Sequence, residues 1–495
     1  MALKLEDLIK AMNALEIDGA LDSVVSGIEY DSRQVKAGVV FVAIPGFVVD
    51  GFDFAAEAVK RGALAVVSER DNEQKLQVTW IKTDNCRKAL SDVAAKFYGY
   101  PGKALKVCGI TGTNGKTTSA YLLKAILEER NKRVGLIGSL GYDTSKEVFE
   151  AERTTPESLD IQRLLYLMRV NECNNVVMEV SSHALELSRV ENIDFRVGLF
   201  TNLTRDHLDF HSDMESYFES KALLLSKLSG LMKYAVINLD VPEFRELFGR
   251  ITSAYLSYSL QDATADVYTA AREYSANGTI FDLVTPMGSR TVKSRLCGEF
   301  NVMNMLGALT AGLASGIDID TAVHALEKAQ PVAGRFQAVD CGQPFAVIID
   351  YAHTPDAIGR VIGAARQFTE GRVIALYGCG GDRDQGKRAL MGEAASEADY
   401  VLVTSDNPRR EDPQVIINDT VKGVTVEHCV IVDRREAVNK AISIAKKNDT
   451  VLLLGKGAEK YEISASGKRP YSELLEAKQA LNALGFQTSL HNKVS

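Results

Sequence analysis

The stretch Val107–Ser119, VCGITGTNGKTTS, constrains this chain more than any other: an apolar run ends in a glycine-rich turn carrying Lys116, Thr117 and Thr118, and a helical pattern follows. Strand, turn and helix in that order make a nucleotide phosphate site. Backbone N–H groups freed by Gly112 and Gly115, flanking Thr113 and Asn114, can point at phosphate oxygens. The helix N-terminus adds a favourable dipole, Lys116 brings a point charge, and Thr117 offers a hydroxyl to Mg²⁺. A strict search for the Walker A spacing misses this loop, because its first glycine position is occupied by Ile110.

At 495 residues the chain is too long for one ordinary core and calls for about three domains. A hydrophobic content of 46% and a charged content of 25% are those of a globular protein, and no apolar run approaches the roughly 20 residues that span a bilayer. The N-terminal MALKLEDLIKAMNALEI mixes charges with apolar residues and has no signal-peptide core, so export and membrane insertion are not expected. Seven scattered cysteines, never spaced as CxxC, argue against a disulfide framework or zinc cluster and point to the reducing cytoplasm. A net charge of −8 argues against a nucleic-acid surface and leaves small anionic ligands as the expected partners.

The first hundred or so residues carry strand-like runs at 38–43 and 64–68 and a helical pattern over 87–97, stopped by Gly99-Tyr-Pro101-Gly102. From Leu105 strands and helices alternate: VCGI, the helix from Thr117, VGLIG, a helix over 160–169, VVMEV and VGLFTNL. This is the rhythm of a parallel sheet. Residues 260–300 suggest an antiparallel addition, and a third alternating unit begins near Pro344. The expectation is an α/β protein with three domains. Residues 1–103 form the first, residues 104–336 a central P-loop ATPase domain with a parallel sheet, and residues 337–495 a C-terminal Rossmann-like domain with its ligands at strand ends.

In VVMEVSSHAL, Glu179 ends an apolar strand, where a carboxylate is costly to leave unpaired and well placed to bind a hard cation, so it is the candidate Mg²⁺ ligand. FTNLTRDHLDFH adds Asn202, Asp206, His207, Asp209 and His211 after the next strand. Lys221, in SYFESKALLL, reads from spacing alone as a surface lysine whose stem lies on an apolar segment. GCGGDRDQGKRALM places Arg383, Lys387 and Arg388 among glycines, and TSDNPRRED places Asp406, Asn407, Arg409 and Arg410 after the following strand. Two arginine-bearing loops at adjacent strand ends suit carboxylates or phosphates. GKGAEKYE adds Gly455 and Glu459, and an acid beside arginines suits a zwitterionic amino acid.

The order TGTNGKTT, ERTTPE, MEVSSHAL, TNLTRDHLDFH, Lys221, GEFNVMN, GRF, DYAHTPD, GCGGDRD, DNPR, GKGAE, with YDSR in the first unit, resembles the Mur ligases over nearly the whole chain. Within them it is most similar to the branch that adds meso-diaminopimelate to UDP-N-acetylmuramoyl-L-alanyl-D-glutamate. The resemblance implies an N-terminal UDP-binding domain, a central ATPase domain and a C-terminal domain receiving the amino acid. ATP is implied as co-substrate with Mg²⁺, in peptidoglycan precursor synthesis by a cytoplasmic monomer. Ser32 and Arg33 would lie near the uridine diphosphate, and Thr154, Thr155, Ser181 and Arg189 would contact the sugar-peptide. Lys116, Thr117, Glu179 and His207 would handle phosphates and metal, while Asn301, Arg335 and Asp350 meet the nucleotide. Arg388, Asp406, Asn407, Arg409, Gly455 and Glu459 would form the diaminopimelate pocket. The family carbamylates a lysine matching Lys221, and that carbamate helps to hold a second Mg²⁺, which displaces the surface reading.

The expectation of diaminopimelate rests on DNPR, because Arg409 can grip the distal carboxylate that lysine lacks. The sequence departs from the family at Ala458, where histidine is usual, at Ala389, where proline is usual, and at Leu187 and Phe47. Rival readings are the same ligase adding L-lysine, a folylpolyglutamate synthase-like ligase and, from another class, a P-loop NTPase switch. The switch leaves the arginine and glycine loops of the third unit unexplained.

Overall fold

The computed structural model describes residues 3–47, 49–130, 133–208, 210–275 and 278–486. Beside two two-stranded pairs at 3–4/24–25 and 461–464/467–470, three larger sheets follow one another along the chain. The first runs β1 (Ala14–Asp18), β2 (Gly27–Glu29), β3 (Val39–Val42), β4 (Ala63–Ser68) and β5 (Thr79–Thr83), in spatial order β1-β5-β4-β3-β2. β2 to β5 are parallel neighbours, and β1 closes the edge antiparallel to β5. Helix α1 (Cys86–Phe97) covers one face, capped by Asn85, whose side chain accepts from Lys88 N. Its Leu90, Val93 and Ala94 are buried at helical spacing.

The central sheet is built from β6 (Lys106–Thr111), α2 (Lys116–Arg130), β7 (Val134–Gly138), β8 (Gly141–Asp143), β9 (Val148–Phe149), α3 (Ser158–Val170), β10 (Asn175–Glu179), α4 (Ser182–Glu186), β11 (Phe195–Phe200), α5 (Met214–Ser226), β12 (Tyr234–Asn238), β13 (Ala254–Ser259), β14 (Val267–Ser275), β15 (Gly278–Thr285) and β16 (Gly288–Ser294). Eleven strands lie in the order β9-β8-β7-β10-β6-β11-β12-β13-β14-β15-β16. Across the sheet from β7 through β10, β6, β11, β12 and β13 to β14 neighbours are parallel; β9-β8-β7 are antiparallel at one edge and β14-β15-β16 form the antiparallel addition at the other. That addition is an extension of the same sheet, and not a separate layer. α2, α6 (Glu299–Ala314) and α7 (Ile319–Lys328) pack on one face through Leu123, Ile126, Met305, Leu309 and Leu326, and α3 and α5 cover the other. Burial on both faces is what near-continuous apolar strands such as VVM and VGLF require.

The third sheet contains β17 (Gln337–Ala338), β18 (Ala346–Asp350), α8 (Pro355–Arg366), β19 (Val373–Cys379), α9 (Lys387–Ala395), β20 (Tyr400–Ser405), α10 (Pro413–Val421), β21 (His428–Val430), α11 (Arg434–Ser443) and β22 (Thr450–Leu454), ending in α12 (Glu473–Ala483). Its order is β17-β18-β22-β19-β20-β21, parallel except for β17. The chain is therefore α/β with parallel sheets. No disulfide joins its cysteines, and among the described residues no helix is long and apolar enough to cross a membrane.

One buried ion pair fixes the carboxyl ends of this third sheet. Arg434, at the start of α11, donates to both oxygens of Glu473 at 3.0 and 2.8 Å, to Leu454 O at the end of β22 (2.8 Å) and to Ser405 O at the end of β20 (3.4 Å). Tyr471 donates to the same carboxylate at 2.6 Å. Both partners are sealed from solvent. Removing one member leaves an uncompensated buried charge, so Glu473→Ala is expected to lose about 3–5 kcal/mol in urea denaturation. Arg434→Met/Glu473→Leu together should recover most of that loss, and a Glu473→Ala midpoint equal to the unsubstituted protein's would contradict the reading.

Candidate active site

β6 delivers the chain into the glycine loop, and α2 begins at Lys116. Gly112 has φ +147° and Gly115 φ +81°, both in the region that favours glycine. A Cβ at Gly112 would overlap Thr201 Oγ1, and one at Gly115 would overlap Asn304 Oδ1. The loop is pinned from the β11 end: Thr113 N donates to Asn202 O (3.0 Å) and Asn114 N to Asn202 Oδ1 (2.8 Å). Lys116 Nζ folds over the loop, donating to Gly112 O at 2.9 Å and Thr113 O at 2.8 Å. Burial lowers its pKa, with Glu179 and Asp206 opposing.

Glu179, buried at the end of β10, collects donors from three directions. Thr117 Oγ1 lies 2.9 Å and Ser139 Oγ 3.3 Å from Oε2, and Ser139 N donates to Oε1 at 2.9 Å. Arg335 Nη2 donates to Thr117 Oγ1 at 3.2 Å. A buried carboxylate and a hydroxyl this close are hard-oxygen donors suited to Mg²⁺. Behind them Thr155 donates to Glu179 O (2.8 Å), Ser181 N donates to Thr155 Oγ1 (3.1 Å), and Thr154 Oγ1 lies 3.0 Å from Ser139 Oγ. Arg189 reaches Thr155 O and Glu157. The four residues assigned to the sugar-peptide thus gather around the strand end that holds Glu179.

Lys221 corrects the reading from spacing alone. It faces the interior of α5 with 1% of its surface exposed, its Nζ 4.0 Å from the centre of the Tyr217 ring. Burial drives its pKa well below the usual lysine value, and the nearby Lys116 cation adds to this. Among the described residues no carboxylate forms an ion pair with it. The helix hides the lysine because residue 221 shares a face with the buried Tyr217, Phe218, Leu224 and Leu225, away from the exposed Glu215 and Glu219. His207 sits at φ +56°, beside Asp206 and His183. Burial lowers its pKa, with Asp206 opposing. Asp209 lies outside the described residues.

Two cavities open here. The first, about 780 Å³, runs from Asn114, Gly115, Thr117 and Thr118 past Arg335 and Asp350 to α8. Asp350 accepts from Phe336 N and Ala352 N, both at 2.7 Å. Asn301 does not line the cavity; its Oδ1 accepts from Asn304, which does. The second cavity, about 440 Å³, is lined by Asp206, His207, Arg383, Lys387, Asp406, Asn407, Arg409, Gly455 and Glu459. Arg409, at φ +54°, is held by a donation from its N to Ile463 O (3.0 Å) and from Nη1 to Gly381 O (2.7 Å).

Arg388 is a correction. Its guanidinium turns away from the second cavity and is consumed by Glu411 (2.8 Å) and Asp419 (3.1 Å), leaving Lys387 on the lining. Ser32 and Arg33 line neither cavity: Ser32 donates to Glu57 and the exposed Arg33 pairs with Asp31. Lys456, which sequence reasoning passed over, is wholly buried, with its ammonium 2.7 Å from Asn407 Oδ1, 3.1 Å from Asp406 and 3.3 Å from Glu459. Burial alone would push the Asp406 carboxyl up; Lys456 and Arg434 outweigh it and hold the group below its usual value. The signal for Lys456 was its place between two glycines directly after the last apolar strand. His353 and Ser139 were passed over as well, the first inside a quoted motif and the second in a turn with no chemical signature of its own.

Three consecutive segments of the chain match known family domains. Residues 24–98 match the Mur ligase family catalytic domain, residues 110–312 the Mur ligase middle domain, and residues 334–457 the Mur ligase glutamate ligase domain. A UDP-N-acetylmuramoyl-L-alanyl-D-glutamate--2,6-diaminopimelate ligase of Syntrophomonas wolfei is 43% identical over 467 residues, covering 93% of this chain and 95% of that protein. The ligase of the same name from Bacillus licheniformis is 42% identical over 488 residues, covering 97% and 99%. A solved structure of a ligase of that name aligns with a TM-score of 0.70 at 32% identity, covering 98% of this chain and 100% of the other. With its glycine loop, strand-end carboxylate and arginine-lined second cavity in one sequence order, the chain belongs to the Mur ligase family.

Proposed function

We propose that this protein joins meso-diaminopimelate to UDP-N-acetylmuramoyl-L-alanyl-D-glutamate, using ATP, as a step of peptidoglycan precursor synthesis in the cytoplasm. The observation that carries the reading is the pair of abutting cavities, one ending in a phosphate loop and the other lined by both acids and bases. The names and identities of the relatives support it. The units 1–103, 104–336 and 337–495 would bind the UDP moiety, ATP and the amino acid in turn, in a monomer.

ATP phosphates would lie along Gly112–Thr118, with Lys116 and Arg335 as the cations and Asn301, through Asn304, and Asp350 shaping the nucleotide cavity. Thr117 and Glu179 would hold Mg²⁺, with His207 and a carbamate on Lys221 at a second position. Mg²⁺ there would neutralise phosphate charge that otherwise repels an incoming carboxylate. The terminal carboxylate of the D-glutamyl substrate, steered by Thr154, Thr155, Ser181 and Arg189, attacks the γ-phosphorus in line, ADP leaves, and an acyl phosphate forms. The amino acid's amine then attacks the acyl carbon and phosphate departs. Ser32 and Arg33 would act at the distant uridine end. In the second cavity Asp406, Asn407 and Glu459 suit the ammonium groups of the amino acid, Gly455 leaves room for it, and Arg409 suits its distal carboxylate.

Phosphate release and product mass, with meso-diaminopimelate and L-lysine in separate reactions, test the assignment. Diaminopimelate is expected to be favoured at least about 100-fold, because lysine leaves the Arg409 guanidinium unpaired. Arg409→Ala should raise KM for diaminopimelate while leaving KM for ATP nearly unchanged. Efficient use of lysine by the unsubstituted protein would remove the role of Arg409 and keep the ligase; ATP hydrolysis without any sugar-peptide would favour the NTPase switch.

The Lys221 carbamate has its own test. A lysine whose pKa is lowered by burial presents the neutral amine that adds CO₂. Activity is expected to fall when dissolved CO₂ is stripped, to return with bicarbonate, and to fall further at acid pH, where the amine is protonated. Insensitivity to bicarbonate after stripping would count against a carbamate at this position.

A further inference from the structure

The two cavities share Tyr351 and His353, in the turn between β18 and α8. A phosphate-activated acyl group in the first and an amine in the second therefore meet beside these side chains. Burial pushes the Tyr351 phenol up to about 12, with Glu459 adding to the effect, so it stays protonated and cannot accept a proton. His353 is different. Its Nδ1 lies 2.9 Å from Tyr351 O. A carbonyl only accepts, so Nδ1 carries the proton and the neutral ring presents a bare lone pair at Nε2. Among the described residues Nε2 has no hydrogen-bond partner.

The surroundings keep the ring neutral: burial lowers its pKa, Lys387 and Arg335 add to this, and Asp206 and the Tyr351 carbonyl oppose it. Several other acceptors of the second cavity are already engaged. Asp406 is bound to Lys456, Glu459 accepts from Asn407 and Lys456, and His207 is stationed beside Asp206.

We infer that His353 is the general base of amide formation, its Nε2 taking a proton from the attacking amine where the two cavities join. This rests on the ligase reading above. The amine arrives as an ammonium and gives one proton to Nε2. Its freed pair forms the C–N bond, the acyl C–O bond to phosphate breaks with its electrons, and the departing phosphate takes the second N–H proton. The imidazolium, facing Lys387 and Arg335, returns its proton to solvent.

Hydroxylamine separates the two half-reactions, because it is already a free base near neutral pH and needs no proton removed before attacking an acyl phosphate. With ATP, Mg²⁺ and UDP-N-acetylmuramoyl-L-alanyl-D-glutamate, His353→Gln is expected to form hydroxamate at a rate close to that of the unsubstituted protein. Amide formation with meso-diaminopimelate should fall about 100-fold, and the deficit should shrink as rising pH deprotonates the amine. His353→Asn is expected to behave the same way. Equal loss of hydroxamate and amide, or loss of neither, overturns the assignment. An unsubstituted protein that makes no hydroxamate would instead overturn the ligase reading on which it rests.

Discussion

A single carboxylate, Glu179, ties the active region together. Burying an ion at the end of an apolar strand costs several kcal/mol unless its oxygens are satisfied. Here the satisfaction comes from Thr117 of the phosphate loop and from both the backbone and hydroxyl of Ser139. The carbonyl of the same residue accepts from Thr155, which sets the segment assigned to the sugar-peptide. Strand β10, the glycine loop, the turn after β7 and the 154–155 segment therefore take their positions from one group. Arg335 joins through Thr117 and lies over the Tyr351 ring at 4.6 Å, which carries the linkage into the third sheet.

Much of this was legible in the chain because glycine and strand ends leave a strong local mark. Gly112 and Gly115 occupy backbone angles that other residues resist, and Glu179, Asp350 and Ser405 each close a run of apolar residues. What was not legible depends on three-dimensional neighbours. Lys221 lies on the buried face of α5 with Tyr217, Phe218 and Leu225, a place its charge argues against in sequence. Arg388 looks like its neighbour Lys387 until Glu411 and Asp419, on another loop and helix, claim its guanidinium. Phe47 shows the same limit. It is largely exposed, yet its ring meets Phe210 edge-on at 5.7 Å, and Phe210 stacks on His183 at 4.1 Å. An N-terminal loop thus touches the histidine cluster of the central unit, which no spacing within either segment foretells.

The second cavity gains its shape from cations that lie beneath it. Lys456 gathers Asp406, Asn407 and Glu459 around one ammonium, and Arg434 ties the ends of β20 and β22 to Glu473. Held in this way, the Asp406 carboxyl stays below its usual value despite burial. The departure at Ala458 lies on the same turn. Gly334 packs so closely there that a Cβ on it would overlap the Ala458 nitrogen, which places the linker into the third unit directly against the GKGAE turn.

The charges around the phosphate loop bear on the carbamate proposed at Lys221. Lys116 and Arg335 already face the same small volume, and Lys116 lowers the pKa of Lys221 directly. A third ammonium there would raise the field further at a site where Glu179 and Asp206 are the nearby carboxylates. Burial leaves the Lys221 amine neutral and so avoids that third cation, and the carbamate proposed there would put an anion in its place, a change of one charge from one addition of CO₂. Tyr217 reinforces this constraint: its ring caps the Lys221 amine, and its hydroxyl lies 3.1 Å from Thr113 Oγ1 in the loop. Tyr217 therefore bridges α5 and the glycine loop, and a charge placed at Lys221 would sit beside that loop.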